Sequence, residues 1–285
     1  MINTSWNSPE CDLHIHTTYS DGSMPVHDVI YYARKTGLSC IAVTDHDSLY
    51  DMDKTVSAGE AAGIRIIPGV EATVRDTRRN RPVHVLCYLP KYPDILQTFL
   101  NRTLENRKRQ KLQMLAKVKK LYPLLEEDKV LYYARESRSV YEPHIMQPLC
   151  DLGYTNAAIS TLEEELISKT GSCYVPSIYP DIYELLEYAK KARAFITIAH
   201  PGQFDSFDLA EELAEQRLIH ALEYSHPRNN GDAQKRILQI AGKYDLLLTG
   251  GSDFHGQYAK IPHPLGSFGC SADVVKEIIA YSKSL

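Results

Sequence analysis

Short apolar runs alternate with amphipathic stretches along most of this chain. Strands are predicted at residues 11–15, 40–43, 64–67, 83–89, 195–199, 220–224 and 246–249. Helices are predicted at residues 51–62, 181–192, 208–216, 232–244 and 272–282, besides a first helix that begins after Ser23. Ser23 suits an N-cap, and Gly37 and Gly63 suit the left-handed position that ends a helix. This alternation predicts β-α units around a parallel sheet, and seven strands come close to a closed barrel.

The alternation of strands and helices stops in the middle of the chain. Between about residue 100 and about residue 174 the segments have helical periodicity, with no apolar strand among them. We therefore predict that a helical cap domain at residues 100–175 is inserted into a barrel, whose two parts are residues 10–99 and 176–285.

The first helix of this insertion is basic. Its cationic residues are Arg102, Arg107, Lys108, Arg109, Lys111, Lys117, Lys119 and Lys120. Such a run is most often a solvated helix face. The functional alternative is a positive lobe that steers phosphorylated substrates toward an active site.

Composition narrows the classes of protein that this chain can be. Its 285 residues, 44% of them hydrophobic and 24% charged, predict a globular protein. A net charge of -4 gives no broad basic field, so neither duplex DNA nor a membrane surface is an expected partner. No signal peptide and no long apolar stretch is present, which predicts a cytoplasmic location. The six widely spaced cysteines predict reduced, mostly buried thiols.

Two histidines stand at the end of the first predicted strand. His14 and His16 flank Ile15, so the two-residue period of a strand points both imidazoles to one side. Asp21 follows five residues after His16. A lone pair of histidines would be weak evidence for a metal site, so the question is whether other strands repeat the pattern.

Residues with metal-binding side chains recur at or near the ends of the later predicted strands. They are Asp45, His46, Asp47, Glu71, His84, His200, Glu223, His226, Asp253 and His255. In a parallel barrel these strand ends meet at one rim. Imidazoles and carboxylates crowded together there need cations to share. The pattern therefore predicts a divalent-metal centre.

The ligand types indicate what such a centre does. They are not the cysteines of a structural zinc site, which favours a catalytic centre with several metals and open positions for water and substrate. Several metals favour hydrolysis at phosphorus, because they lower the pKa of a bridging water and hold the phosphate oxygens. Histidine and carboxylate ligands suit Mn, Fe or Zn, and Mg to a lesser degree.

Six short motifs occur in order along nearly the whole chain. They are Asp12-Leu13-His14-Ile15-His16-Thr17, Ser20-Asp21-Gly22, Thr44-Asp45-His46-Asp47, Pro68-Gly69-Val70-Glu71, Ala199-His200-Pro201 and Gly251-Ser252-Asp253-Phe254-His255-Gly256. Together they resemble the PHP (polymerase and histidinol phosphatase) superfamily. The resemblance implies an α/β fold, a distorted seven-stranded (β/α)7 TIM-like barrel with an inserted small helical cap domain, and a centre of three divalent metal ions.

The resemblance also implies which residues bind each metal. The first metal takes His14, His16, Glu71 and Asp253, the second takes Glu71, His84 and His200, and the third takes Asp21, His46 and His255. The residues expected to act in catalysis are Asp21, His46, Glu71 and His255. Asp12 and Asp45 are expected to orient ligand histidines.

The predicted cap resembles that of phosphoesterases which remove the 3'-phosphate from nucleoside 3',5'-bisphosphates. One position differs, because Glu142 stands where that group usually has an arginine, and Arg138 is then the candidate to supply the missing charge. The expected substrate contacts are Arg138, His144, His226, Arg228 and Lys260.

The leading hypothesis is a phosphoesterase that removes the 3'-phosphate of a nucleoside 3',5'-bisphosphate, with a metal-bridging hydroxide as the nucleophile. Two alternatives remain within the superfamily: a histidinol-phosphate phosphatase, which has no need of the cap, and a 5'-to-3' exonuclease on short RNA or oligonucleotides. A non-catalytic metal-binding module is a further alternative, disfavoured because none of the nine expected ligand positions is missing. The expected partners are thus a small phosphorylated substrate, or a short oligonucleotide.

Overall fold

One sheet of seven strands organises residues 9–284, the part of the chain that the computed structural model describes. The strands are β1 (Cys11–Ile15), β2 (Cys40–Val43), β3 (Arg65–Asp76), β4 (Arg81–Tyr88), β5 (Phe195–Ile198), β6 (Ala221–Ser225) and β7 (Leu247–Gly250). They lie side by side in the order of the chain. Backbone bridges from Ile15 to Phe254 and from Cys11 to Cys270 bring the segment after β7 beside β1, so the sheet forms a nearly closed barrel.

Helices connect most of these strands. They are α1 (Val26–Lys35), α2 (Met52–Ala62), α3 (Pro93–Leu121), α4 (Glu127–Tyr133), α5 (Glu142–Asp151), α6 (Thr161–Leu166), α7 (Ile182–Lys191), α8 (Phe207–Glu215), α9 (Gly231–Tyr244) and α10 (Ala272–Ser284). The predicted strands and the predicted helices outside the insertion are confirmed to within two residues at each end, apart from the third strand and the start of α1. Ser23 is not the N-cap of α1, because its hydroxyl instead accepts a hydrogen bond from Gln257 N at 2.7 Å.

The third and fourth strands depart from the predicted series of parallel β-α units. β3 continues to Asp76 and pairs antiparallel with β4 along its second half. A turn at residues 77–80 joins the two strands, and so short a connection can only link antiparallel neighbours. β4 is also antiparallel to β5, whereas β1–β2–β3 and β5–β6–β7 are parallel. The prediction that all seven strands are parallel is therefore wrong for β4.

The reversal of β4 determines where the insertion begins. Tyr88, the last residue of β4, pairs with Phe195, the first residue of β5, so the chain leaves β4 at the end of the barrel opposite the rim. The next helix, α3, has 29 residues and is about 43 Å long at 1.5 Å per residue. It packs first against the barrel core, through Phe99, and then against a separate core, through Met114.

That separate core belongs to the inserted helices. It is formed by buried residues from α3 to α6 and the segments between them, including Met114, Leu115, Val118, Leu125, Val130, Ile145, Met146, Leu149 and Leu166. Residue 100, where the sequence pattern placed the start of the cap, lies inside α3. Barrel core and cap core therefore share one continuous helix.

Two cations of the basic helix are buried. Arg107 is 6% exposed and Lys111 is 1% exposed, while the other six cations are exposed or half-buried. Neither proposed interpretation of the helix, as a solvated face or as a steering lobe, holds for these two residues. Each has a carboxylate partner, Asp47 for Arg107 and Glu142 for Lys111, as a buried charge requires.

The cysteines and the helices bear on two features of the composition. All six cysteines are free, and all but Cys150 are buried. Among the helices of residues 9–284, none combines the length and the apolar character needed to cross a bilayer.

His220 gives the fold a defined pH dependence. Its Nδ1 accepts a hydrogen bond from Ile196 N at 2.8 Å, and its ring packs against Phe195 and Tyr281. Burial lowers the pKa of His220 to about 4. The unfolded chain takes up this proton near pH 6.5, whereas the folded chain resists it down to about pH 4. The stability that neutral His220 provides is therefore present above that window and is lost as the pH falls through it.

Replacing His220 with Gln is expected to flatten this pH dependence. Glutamine keeps an acceptor for Ile196 but cannot titrate, so the unfolding free energy should fall less steeply between pH 6.5 and pH 4, by up to about 1.4 kcal/mol per pH unit. Urea unfolding of chelator-treated protein at several pH values across this window measures the slope. The exposed His27→Gln serves as the control, and an unchanged slope in His220→Gln would contradict the assignment.

Candidate metal centre

His14 and His16 lie side by side at the rim end of β1, as predicted. Both are fully buried, and their ring centroids are 5.2 Å apart. Each Nε2 lies 3.2 Å from Oε2 of Glu71. The same two atoms lie 3.5 and 3.3 Å from Oδ1 of Asp253. Four possible ligand atoms therefore surround one point.

A second group forms on the other oxygen of Glu71. Its Oε1 lies 2.8 Å from Nδ1 of His84 and 2.8 Å from Nε2 of His200. His84 was expected near the carboxyl end of its strand, and this is wrong because β4 is reversed. Its position opposite Thr73 of β3 still brings it to the rim, since an antiparallel strand starts where its neighbours end.

A third group lies around Asp21. Its Oδ1 is 3.5 Å from Nε2 of His255 and 3.6 Å from Nδ1 of His16. Its Oδ2 is 3.7 Å from Nε2 of His46. The rings of His16 and His255 stack with centroids 4.2 Å apart. The structure thus brings together all nine side chains that were expected as ligands.

The donor atoms fit divalent cations. Within residues 9–284, Nε2 of His14 and Nε2 of His16 are buried without a hydrogen-bond partner. Ligands about 2.1 Å from one ion lie about 3.0–3.4 Å from each other, close to the separations of 3.2–3.5 Å in the first group. The predicted residues also form groups whose ligand atoms lie within 4.8 Å of one another, such as His16, Asp21, His46 and His255.

The ionisation of each group in the cluster depends on its neighbours. Burial opposes the ionised form of Glu71, but the neighbouring histidines, with His84 and His14 foremost, hold its pKa well below the ordinary range. Burial also opposes a charge on His14, and the carboxylates of Glu223, Glu71 and Asp253 outweigh it and raise the pKa of His14 well above its usual value. The cluster therefore binds protons or metal ions in competition.

Glu223 belongs to the cluster although it was not predicted as a site residue. It lies on β6 and is fully buried. Its Oε1 is 2.9 Å from Nδ1 of His14, and its Oε2 accepts a hydrogen bond from His200 N at 2.8 Å. Glu223 therefore orients one ligand histidine by its ring and another by its backbone. Its place near the end of a strand includes it in the sequence pattern that predicts the metal centre, although it is not among the nine expected ligands.

Asp12 and Asp45 accept hydrogen bonds from backbone N–H groups and hydroxyls rather than from imidazoles. Asp12 accepts hydrogen bonds from Ser252 N, Ser252 Oγ and His14 N, which joins β1 to the segment after β7. Asp45 accepts from Thr17 N at 2.8 Å and Thr17 Oγ1 at 2.7 Å. These hydrogen bonds fix the loops that carry the expected ligands. The imidazole ring of His14 is contacted by Glu223 and not by Asp12 or Asp45.

A cavity of about 530 Å³ opens above the cluster. Seven of the expected ligands line it: Asp21, His46, Glu71, His84, His200, Asp253 and His255. The opposite walls include Glu142, Pro143, Ile159, Glu163, Arg228, Lys260 and Ile261. Of the five predicted substrate contacts, the structure places Arg228 and Lys260 at this cavity. Lys260 also pairs with Glu164 of the cap.

The other three predicted substrate contacts lie outside the lining of this cavity in the described chain. Arg138 Nη2 is 3.8 Å from Asp51 Oδ2, and its guanidinium stacks 4.2 Å from the centre of the Tyr50 ring. His144 is buried at the start of α5, where its Nδ1 accepts a hydrogen bond from Tyr141 N at 3.2 Å. Burial lowers the pKa of His144 to about 4.

His226 lies in the buried layer beneath the cavity. Its Nδ1 accepts a hydrogen bond from Arg228 N at 3.0 Å, and its Nε2 is 3.5 Å from Oδ2 of Asp253. With His14, His200 and Glu223 it forms a further group close enough to hold an ion. His226 is therefore placed to support the metal ligands, not to face the substrate as predicted.

Glu142, found where an arginine was expected, has a cation of its own. Its carboxylate pairs with the buried ammonium of Lys111 from α3. Next to it, burial and the charge of Glu142 raise the pKa of Glu163 to about 7. The cap therefore presents carboxylates to the cavity, and the cationic contribution to its walls comes from Arg228 and Lys260 on the barrel.

Comparison with known proteins identifies the class of this molecule. The model of the PHP domain family matches residues 12–226. The chain belongs to the PHP family, and it is a metal-dependent phosphoric ester hydrolase of that family.

Its relatives share both length and fold. A phosphoribosyl 1,2-cyclic phosphate 1,2-diphosphodiesterase from Eggerthella lenta is 31% identical over 253 residues, which cover 88% of this chain and 96% of the relative. A 3',5'-nucleoside bisphosphate phosphatase from Chromobacterium violaceum is 24% identical over 251 residues, 86% of each chain. A solved structure from Bifidobacterium adolescentis, described as a candidate metal-dependent phosphoesterase, has a TM-score of 0.89 at 28% identity and covers 96% of this chain and 97% of its own.

Replacing Glu71 with Gln is expected to lower the number of divalent ions bound per chain. The amide oxygen can still serve one group of histidines, whereas the amide nitrogen cannot bind a cation on the other side. Metal content after dialysis against Mn²⁺, measured by inductively coupled plasma mass spectrometry, checks this. The exposed Glu187→Gln on α7 is the control, and wild-type metal content in Glu71→Gln would contradict the shared role of Glu71.

Proposed function

We propose that this chain binds three divalent ions and hydrolyses a phosphate ester of a small ribose phosphate that carries a second phosphate group. The observation that carries the proposal is that the nine expected ligand side chains cluster around Glu71 and Asp21, below a cavity with two cations in its walls. The group sharing Glu71 Oε2 with His14 and His16 would hold the first ion. The groups of Glu71 Oε1 and of Asp21 would hold the second and third.

The residues of the cluster would have different roles in the reaction. Bound divalent ions would lower the pKa of a coordinated water and hold the phosphate oxygens. Glu71 lies between the first and second groups and contacts histidines of both. Asp21, His46 and His255 line the cavity and would border the scissile phosphate, whereas His14 and His16 lie behind them. Mn, Fe and Zn suit this set of ligands, with Mg less favoured.

The walls of the cavity support a small, doubly phosphorylated substrate. Arg228 and Lys260 offer positive charge on the barrel side and would hold a phosphate other than the one being hydrolysed. A volume of about 530 Å³ suits a sugar phosphate or a nucleotide. The names of both relatives describe a ribose phosphate with a further phosphate ester, a 1,2-cyclic diester in one and a 3'-monoester in the other.

Two substrates of this class have separate support. The phosphoribosyl 1,2-cyclic phosphate is favoured by the 31% identity with the Eggerthella lenta enzyme. The nucleoside 3',5'-bisphosphate is favoured by the apolar wall of Pro143, Ile159 and Ile261, which can pack against a nucleobase. Both reactions would use water activated at the same metal groups. The two substrates would therefore differ in their contacts with the cap side of the cavity.

A panel of substrates tests this proposal. Formation of hydrolysis products is measured by liquid chromatography with phosphoribosyl 1,2-cyclic phosphate, a nucleoside 3',5'-bisphosphate, histidinol phosphate, a 5'-phosphorylated oligonucleotide and an aryl phosphate, each with Mn²⁺, Mg²⁺ or Zn²⁺. Products are followed because opening a cyclic diester or removing a nucleotide releases no inorganic phosphate. One of the first two is expected to have the highest kcat/KM, about tenfold or more above the others, because these two combine a second phosphate for Arg228 and Lys260 with a size that suits a cavity of about 530 Å³. Chelator-treated protein is the control. A preference for histidinol phosphate or for the oligonucleotide would refute the proposal.

Replacing Arg228 with Met is expected to affect the second phosphate selectively. Loss of a charge-assisted contact should lower kcat/KM for the preferred ribose phosphate about 10- to 100-fold. Hydrolysis of an aryl phosphate, which has no second phosphate, should change much less. Steady-state kinetics on both substrates measure the difference, with the exposed Arg217→Met as a matched control. Equal losses on both substrates would exclude a role for Arg228 in binding the second phosphate.

A further inference from the structure

Arg107 brings a positive charge from the cap helix into the barrel. It lies on α3 and is 6% exposed. Its Nη2 is 2.5 Å from Asp47 Oδ2 and donates a hydrogen bond to Thr73 Oγ1 at 2.8 Å. The helix that leads into the cap is therefore joined both to the loop after β2 and to β3.

Asp47 holds the loop that carries His46. Its φ of +58° lies in the left-handed region, which is unfavourable for a residue other than glycine and needs support from its surroundings. Asp47 Oδ1 accepts a hydrogen bond from Thr73 N at 2.8 Å, and its backbone N–H donates to Glu71 O at 2.9 Å. Its carbonyl accepts from Gln97 Nε2 at 3.2 Å. The loop therefore depends on contacts from β3 and α3.

Two further contacts reach His46 itself. Thr73 Oγ1 lies 3.4 Å from His46 Nδ1. The Tyr141 hydroxyl donates to His46 O at 3.0 Å, and the two rings lie nearly parallel with centroids 6.2 Å apart. Arg107 stacks 4.7 Å from the centre of the Tyr141 ring, so one guanidinium contacts both residues that hold His46. Nε2 of His46 then faces Asp21 at 3.7 Å.

We propose that Arg107 is a positioning residue that sets the orientation of His46, so that the cap helix completes the metal centre of the barrel. The inference rests on the proposed function for the role of His46 as a metal ligand. Arg107 lies outside the lining of the cavity in the described chain, so it acts through Asp47, Thr73 and Tyr141. Groups that orient ligands in this way typically change metal affinity or activity 10- to 100-fold.

The test uses three variants. Two are the single substitutions Arg107→Met and Arg107→Lys, and the third is a double variant that carries both Asp47→Asn and Arg107→Met. The double variant removes both charges, so it leaves no unpaired buried ion, and asparagine tolerates the left-handed conformation at position 47. Arg109→Met, two residues away on the exposed face of α3, is the matched control. Mn²⁺ affinity is measured by equilibrium dialysis without substrate, and kcat and KM are measured with an aryl phosphate.

One of the bound Mn²⁺ ions, the one that His46 would ligate, is expected to lose affinity about 10- to 100-fold in Arg107→Met and in the double variant, while the others keep theirs. At saturating Mn²⁺, kcat should fall while KM changes little, Arg107→Lys should recover part of the loss, and Arg109→Met should behave as wild type. A double variant that stays folded and binds every Mn²⁺ as wild type does would overturn the proposal. An equal loss of affinity for all the ions, together with a lower melting temperature, would also overturn the proposal, because it would indicate a general structural role for Arg107. Because dialysis needs no substrate, inactivity on every ester would refute the proposed function alone.

Discussion

The metal centre depends on the burial of one carboxylate, that of Glu71. It is 1% exposed, and an isolated anion cannot be buried at such a depth without partners. Its two oxygens lie within 3.2 Å of nitrogen atoms on His14, His16, His46, His84 and His200. These histidines come from both halves of the sheet, so the barrel must curve almost to closure before the charge of Glu71 is compensated. Closure of the barrel therefore assembles the site.

Closure of the barrel uses the same segments that carry the ligands. Asp12 joins β1 to the segment after β7, and Gly251 lies there against the backbone of His14. A Cβ at position 251 would meet His14 N at 2.4 Å, so this approach requires glycine. His200 and Asp253 have positive φ values of 26° and 53°, conformations that side chains other than glycine adopt at a cost. The surrounding hydrogen bonds stabilise a strained backbone at the positions where ligands are needed.

Local patterns revealed most of the barrel, because strand ends and helix ends depend on nearby residues. Alternation at His14 and His16 and the helix-ending glycines are signals of this kind. The reversed strand escaped prediction because the four-residue turn before β4 carries no marked hairpin signature, while its apolar run suits either direction. Arg107 and Lys111 escaped because helical periodicity cannot tell a solvated cation from one whose carboxylate partner lies far along the chain. The contact of Arg138 with Asp51 could not be foreseen for the same reason, since it depends on tertiary structure.

The reversed strand β4 also bears on how a barrel of this topology can change its cap. β4 ends and β5 begins opposite the rim, so α3 runs toward the rim to reach the cap, and the chain has to come back before β5. α7 returns beside it, with Arg102 of α3 paired to Glu184 of α7, so the chain leaves and re-enters the barrel at neighbouring points. An insertion of different length that keeps Arg107 and Tyr141 would leave the strand order and the contacts of His46 unchanged. The rest of the cap can therefore vary while the residues of the rim stay in place.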